Sequence, residues 1–178
     1  MPEIQTVGRE LFRHLIEQAQ RSPRLRINHN FHASMEDNPH RFLNVMMKGT
    51  YIAPHRHLDP PKAEAFLVLE GEVAFFIFDD LGRVVRTELV GVDPSGIDLP
   101  TGIDLPTGID LPIGIDLPVG VWHTLTPLTA HAVCYEVKPG PYLAANDKDF
   151  APWAPREGDP GVPAYLETLT AALKSKHA

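Results

Sequence analysis

The chain has 178 residues, 43% of them hydrophobic and 22% charged, which suits one soluble globular domain with a sizeable core. A formal net charge of -7 without a Lys/Arg run argues against nucleic acid and against an anionic membrane surface. One cysteine, Cys134, excludes an intrachain disulfide. The first twenty residues mix charges into their apolar positions, and no apolar run reaches the roughly 18 residues of a membrane span, so a cytoplasmic protein without a signal peptide is expected.

From the N-terminus, Leu11, Leu15 and Ala19 fall four apart with Phe12 and Ile16 beside them, which predicts a helix over about 8–20, ended by Pro23. Arg24 to Asn30 reads as extended, and Asp37-Asn38-Pro39 as a turn. Strands are predicted at Phe42–Met47, Ala65–Leu69, Val73–Phe78 and Val84–Val90, with Asp79 to Gly82 as a hairpin turn, then at Trp122–Leu125 and Ala132–Val137. Many short strands with turns between them argue for an all-β sandwich or barrel. Pro139–Pro163 reads as an irregular arm lying on that barrel, and Pro163–Lys174 as a second helix. The expected division is an N-terminal helix and extension over 1–40, a barrel over 41–138, and an arm and helix over 139–178.

Residues 96–119 carry four tandem hexads, GIDLPT, GIDLPT, GIDLPI and GIDLPV. A left-handed β-helix also has a hexapeptide period, but four hexads make little more than one of its turns. Tandem duplication of one barrel segment into a protruding loop is the better reading, because loop-closure entropy grows slowly with length. The last copy is the favoured barrel strand, since it leads directly into Val119 to His123.

His55 and His57 are two apart, so on a strand both imidazoles face the same side. Glu64 opens the next apolar strand and can approach them, and His123 offers a third imidazole. An H-x-H pair alone is often no more than two exposed histidines. The added carboxylate and third ring make His55, His57, Glu64 and His123 a candidate set for one divalent transition metal: Fe, Mn, Ni, Co or Zn. Four protein ligands on a six-coordinate ion leave about two open positions, whereas tetrahedral zinc would be filled and structural.

Gly49, His55, His57, Glu64 and Gly71 resemble the first cupin motif, apart from a longer gap between His57 and Glu64. Pro118, Gly120 and His123 resemble the second, without the Asn that often follows. The resemblance implies a cupin, a double-stranded β-helix or jelly-roll barrel. It narrows to the WbuC family of cupin-fold metalloproteins through Pro23-Arg24, Asn28, His32, Tyr51 to His57, Lys62, Glu64, Trp122-His123, Gly140 to Tyr142 and Lys148 to Pro155. That family is sometimes encoded among O-antigen genes; it implies fold and metal site but no established reaction.

Arg56 should face away from its histidine neighbours; Lys62, close to Glu64, either lines the mouth or, as the favoured reading, is solvated. His32, with Arg26 and Asn28, is a candidate for an anionic substrate group or else for simple hydrogen bonding within the N-terminal extension, the favoured reading, and Glu136 for an inward base or a satisfied structural carboxylate. Cys134, Trp122, Phe75, Phe76 and Phe78 read as core or dimer residues. Three functions compete: a metalloenzyme such as an isomerase or epimerase acting on a sugar or sugar nucleotide, an Fe(II) dioxygenase, and a non-catalytic small-ligand binding or sensing cupin. A homodimer paired through exposed sheet edges is expected.

Overall fold

Val73 to Phe78 is apolar at every position because its strand is covered on both faces. The computed structural model describes residues 4–92, 111–143 and 147–174. Its elements are α1 (Arg9–Arg21), β1 (Arg26–Asn30), β2 (His40–Met47), β3 (His55–Arg56), β4 (Glu64–Glu70), β5 (Glu72–Phe78), β6 (Val84–Gly91), β7 (Gly114–Leu117), β8 (Trp122–Pro127), β9 (His131–Lys138), β10 (Asp149–Phe150) and α2 (Val162–Lys174). They form two antiparallel five-stranded sheets, in the orders β1-β2-β9-β4-β7 and β10-β3-β8-β5-β6. This is the cupin-like jelly-roll barrel expected from the sequence.

The inner core lies between the sheets. Met46, Phe66, Val68 and Cys134 of one meet Val73, Phe75, Val90 and Leu125 of the other. Period-two alternation then sends Ala74, Phe76 and Phe78 to the outer face, where they pack with Leu169 and Leu173 of α2. Behind the other sheet, Phe12, Leu15 and Ala19 of α1 cover Leu43, Val45 and Val133. Each buried Val, Leu, Phe or Met among them, removed from water, stabilises the fold by about 1.5–3 kcal/mol. The helix pattern in the sequence is thus the pattern of a lid on a sheet. Its first residue is Arg9, and Ser22 N–H closes it on the Ala19 carbonyl at 3.1 Å.

The last hexad forms β7, as favoured from the sequence, and pairs with β4 from Glu64↔Leu117 to Leu67↔Gly114. A Cβ on Gly114 would stand 2.7 Å from the Phe66 carbonyl oxygen, so this close approach requires glycine. Residues 96–110, the remaining copies up to the third, lie outside the described residues. The arm after β9 contributes β10, a short strand not separately expected. It pairs with β3, and Ala151 N–H bonds the Pro54 carbonyl at 2.9 Å. Trp153 then packs on Phe78 and Trp122. Among the described residues, no helix is long and apolar enough to cross a membrane.

Candidate metal centre and adjoining cavity

His55 lies directly opposite His123 where β3 pairs with β8, and their ring centroids are 4.4 Å apart. Glu64 is the first residue of β4 in the facing sheet. Gly120, with φ of +77°, turns the chain between β7 and β8 and donates its N–H to the His57 carbonyl at 3.1 Å. That positive φ favours glycine, and the bond ties the His123 strand to the His55–His57 segment.

The four side chains converge in a dry place, each with 2–3% of its surface exposed. One ligand atom each from His55, His57 and Glu64 lie within 4.8 Å of one another. His123 joins through Glu64: His57 Nε2 is 3.1 Å from Glu64 Oε1, and His123 Nε2 is 3.1 Å from Oε2. Each imidazole directs Nδ1 at a backbone carbonyl: His55 at Ala53 (3.0 Å), His123 at Val121 (2.9 Å), and His57 at Asp147. A carbonyl accepts only, so Nδ1 carries the proton and Nε2 of each neutral ring is a bare lone pair. His57 Nε2, His123 Nε2 and Glu64 Oε2 make no hydrogen bond despite their proximity. Lone pairs aimed at lone pairs in a buried site form a set that could hold a cation. Burial holds the His55 imidazole well below its ordinary pKa, which keeps it neutral. Burial acts to raise the Glu64 carboxyl, and the Lys138 ammonium beside it acts to lower it.

Around this centre is a ring of charge in which Lys138 and Asp147 join Lys62 and Glu136. Lys138 Nζ donates to Glu64 Oε1 at 3.2 Å and lies 3.6 Å from both Glu136 Oε1 and Asp147 Oδ2. Lys62, expected to be solvated, is 3% exposed and donates to Asp147 Oδ1 at 2.6 Å and to the Pro141 carbonyl at 2.7 Å. The arm folding over the barrel mouth buries it. Burial raises the Glu136 carboxyl, with Lys138 opposing and Glu64 assisting. Lys138 shares a strand face with Glu136 and Cys134, so the period-two rule finds it once the inward phase of β9 is known. Asp147 and Lys148 sit in a segment with no period to read.

Arg26, His32 and Glu136 come together in the wall of one cavity of about 380 Å³, which Asn44, Lys138 and Asp147 also line. Lys138 therefore belongs to both the cavity and the histidine–carboxylate cluster. The Arg26 guanidinium is engaged internally, at 2.6 and 2.7 Å from the two Glu157 oxygens and 2.9 Å from the Tyr51 carbonyl. His32 is 8% exposed and stacks on His40 at 4.1 Å. Arg56 faces outward as expected, over Trp122 at 4.3 Å and within 3.5 Å of Asp149. Cys134, Trp122, Phe75, Phe76 and Phe78 are buried in the core.

A domain family of unknown function, DUF6016, matches residues 7–90. No curated protein matches the chain. Among solved structures, the capsular polysaccharide assembling protein CapF from Staphylococcus aureus is similar over 70% of this chain, at 18% identity and a TM-score of 0.50. The match takes in 34% of CapF, so this chain answers to about a third of that protein. The protein BH2720 from Bacillus halodurans is similar over 78% of this chain and 84% of its own, at 14% identity and a TM-score of 0.46. The two five-stranded sheets and the likeness to CapF together give this chain a cupin-type fold.

Proposed function

We propose that the protein is a metal-dependent cupin of the WbuC type, acting on a small polar molecule such as a sugar or sugar nucleotide. One observation carries the metal: three imidazoles whose Nδ1 protons are fixed on backbone carbonyls, leaving bare Nε2 atoms in a buried cluster with Glu64. His55, His57 and His123 would bind through Nε2, and Glu64 through its carboxylate. When bound, a divalent transition ion supplies Lewis acidity at a carbonyl or hydroxyl oxygen. The chain's own part is to orient the substrate and move a proton. Glu136, its carboxyl raised by burial, is the proton-transfer group nearest in character to that task. His32 faces the substrate, and Arg26 holds the cavity wall through Glu157. Isomerisation or epimerisation fits this scheme, and the likeness to a capsular polysaccharide protein supports a sugar and a link to O-antigen assembly. The reading extends to a cytoplasmic homodimer, for which the exposed Leu67 and Ile113 at adjoining positions of the β4–β7 edge offer an apolar contact.

The test is elemental analysis of protein purified without chelator, beside His55→Ala and His123→Ala. About one equivalent of Fe, Mn, Ni or Co in the wild type, lost in both variants, is expected. Tightly held zinc would point instead to a structural site. No metal, even on reconstitution, would overturn the proposal. Turnover that requires O2 would replace isomerisation with dioxygenation.

A further inference from the structure

The cavity beside the centre has features that the metal reading does not use. Two of its polar atoms, His32 Nε2 and Asn44 Oδ1, have no hydrogen-bond partner among the described residues, although His32 and Asn44 are 8% and 6% exposed. Their other polar atoms are committed: His32 Nδ1 to the Arg41 backbone, and Asn44 Nδ2 to Glu136 Oε2 at 3.1 Å. Such groups are costly to leave unpaired in a buried wall, so a partner arriving from the cavity is favoured. Asn28 lies opposite Asn44 across β1 and β2, and Asn30 is two residues further on the same face. This is a wall of neutral donors and acceptors, suited to hydroxyl groups.

The charges of the wall have a sign. The protein is acidic as a whole, yet Arg24, Arg26, Lys138 and Lys148 line the cavity against Glu136 and Asp147. Arg26 is matched by Glu157, and Lys138 by Glu64 and Glu136. Arg24 and Lys148 make no ion pair among the described residues. A divalent ion on three neutral imidazoles and Glu64 would add to this positive excess. The volume, about 380 Å³, stands at the small end of ligand pockets, which run from roughly 300 to 1,000 Å³. It has room for one monosaccharide-sized unit.

We infer that this cavity binds an anionic polyol of monosaccharide size, its hydroxyl groups on Asn44 Oδ1 and His32 Nε2 and its carboxylate or phosphate drawn to Lys148. The inference rests on the proposed metal-dependent reading for its catalytic meaning, but the hydroxyl-binding wall does not require the ion.

Isothermal titration calorimetry tests it on the full chain, as purified and after chelator treatment. The probes are glucuronate, glucose 6-phosphate, glucose and inorganic phosphate. At least one of the two anionic sugars should bind about tenfold or more tighter than both glucose and inorganic phosphate, the worth of one charge-assisted hydrogen bond. Which of the two wins identifies the anionic group. His32→Phe keeps an aromatic ring against His40 and should weaken that binding about fivefold or more. Asn44→Leu should do the same, with thermal melts showing that each variant is folded. Lys148→Met should erase most of the preference for the anionic sugar over glucose. Retention of the His32 and Asn44 effects in chelated protein supports the cavity even where elemental analysis finds no metal. Failure of both anionic sugars to bind at millimolar concentration overturns the inference, whatever the metal content. So does binding indifferent to His32→Phe and Asn44→Leu, or inorganic phosphate binding as tightly as the sugars.

Discussion

Lys138 Nζ lies 3.2 Å from Glu64 Oε1, so a buried ammonium and the proposed metal compete for one carboxylate. Both are cations, and each offsets the cost of burying Glu64 without water. Lys138 also faces Glu136 and Asp147, and these carboxylates hold its ammonium well above the ordinary range against the effect of burial.

Lys138→Met therefore strands carboxylates in a dry interior. Loss of one partner from a buried ion pair costs about 3–5 kcal/mol. We expect urea denaturation to show a loss of that order in chelated protein and a smaller one in metal-loaded protein, where the ion replaces the missing charge on Glu64. Equal losses in the two forms would mean that Glu64 does not hold the ion.

Glu64→Gln keeps the shape of the side chain and removes its charge. Metal affinity, read by competition with a chromophoric chelator, should fall by more than about 100-fold, because even outer-shell partners of metal ligands are worth 10–100-fold. The far-ultraviolet circular dichroism should be unchanged.

The buried His55 imidazole resists protonation in the folded chain, whereas in the unfolded chain it titrates near its ordinary value of 6.5. Below that pH the unfolded state takes up a proton that the folded state refuses. His55 thus contributes stability that is full above about 6.5 and is lost progressively as pH falls towards its much lower folded value. Melting temperatures of chelated wild type and His55→Gln, measured from pH 7.5 to pH 5, should converge on acidification. Parallel curves would contradict this assignment.

Phe76 is fully buried on the face of β5 that packs against α2, away from the histidines. Phe76→Ala should cost about 3–5 kcal/mol in denaturation while leaving metal stoichiometry intact. Loss of bound metal in this variant, while it remains folded, would show that the two faces of β5 are coupled.

Much of this was legible in the residues. The four-residue spacing of Leu11, Leu15 and Ala19 marks α1 because a helix laid on a sheet needs one apolar stripe. His55, His57 and Glu64 were visible through their local spacing, and His123 through its own short motif with Pro118 and Gly120, which the pairing of β3 with β8 brings to His55. Lys62 was not. Its neighbours are prolines and charges, and its burial depends on Asp147, 85 residues later. Lys138 was hidden for a different reason: at the end of β9 it looks like a solvated terminus, and only the pairing of β9 with β2 and β4 shows which face it shares with Glu136. The closure of the arm over Lys62 and His57 is a tertiary event with no local periodicity to announce it.

The placement of β7 in the fourth hexad has a consequence for heredity. Repeated sequence is prone to gain and lose whole units when genes are copied. Here each such event would change the chain by a multiple of six residues. Loss of either of the first two copies would leave unchanged the sequence of Pro112, Ile113 and β7, which bond Gly91 and Val68. The step from β7 to His123 would keep its length as well. Such a change in length would fall in steps of six and leave the sequence of every residue of the histidine–carboxylate cluster unaltered.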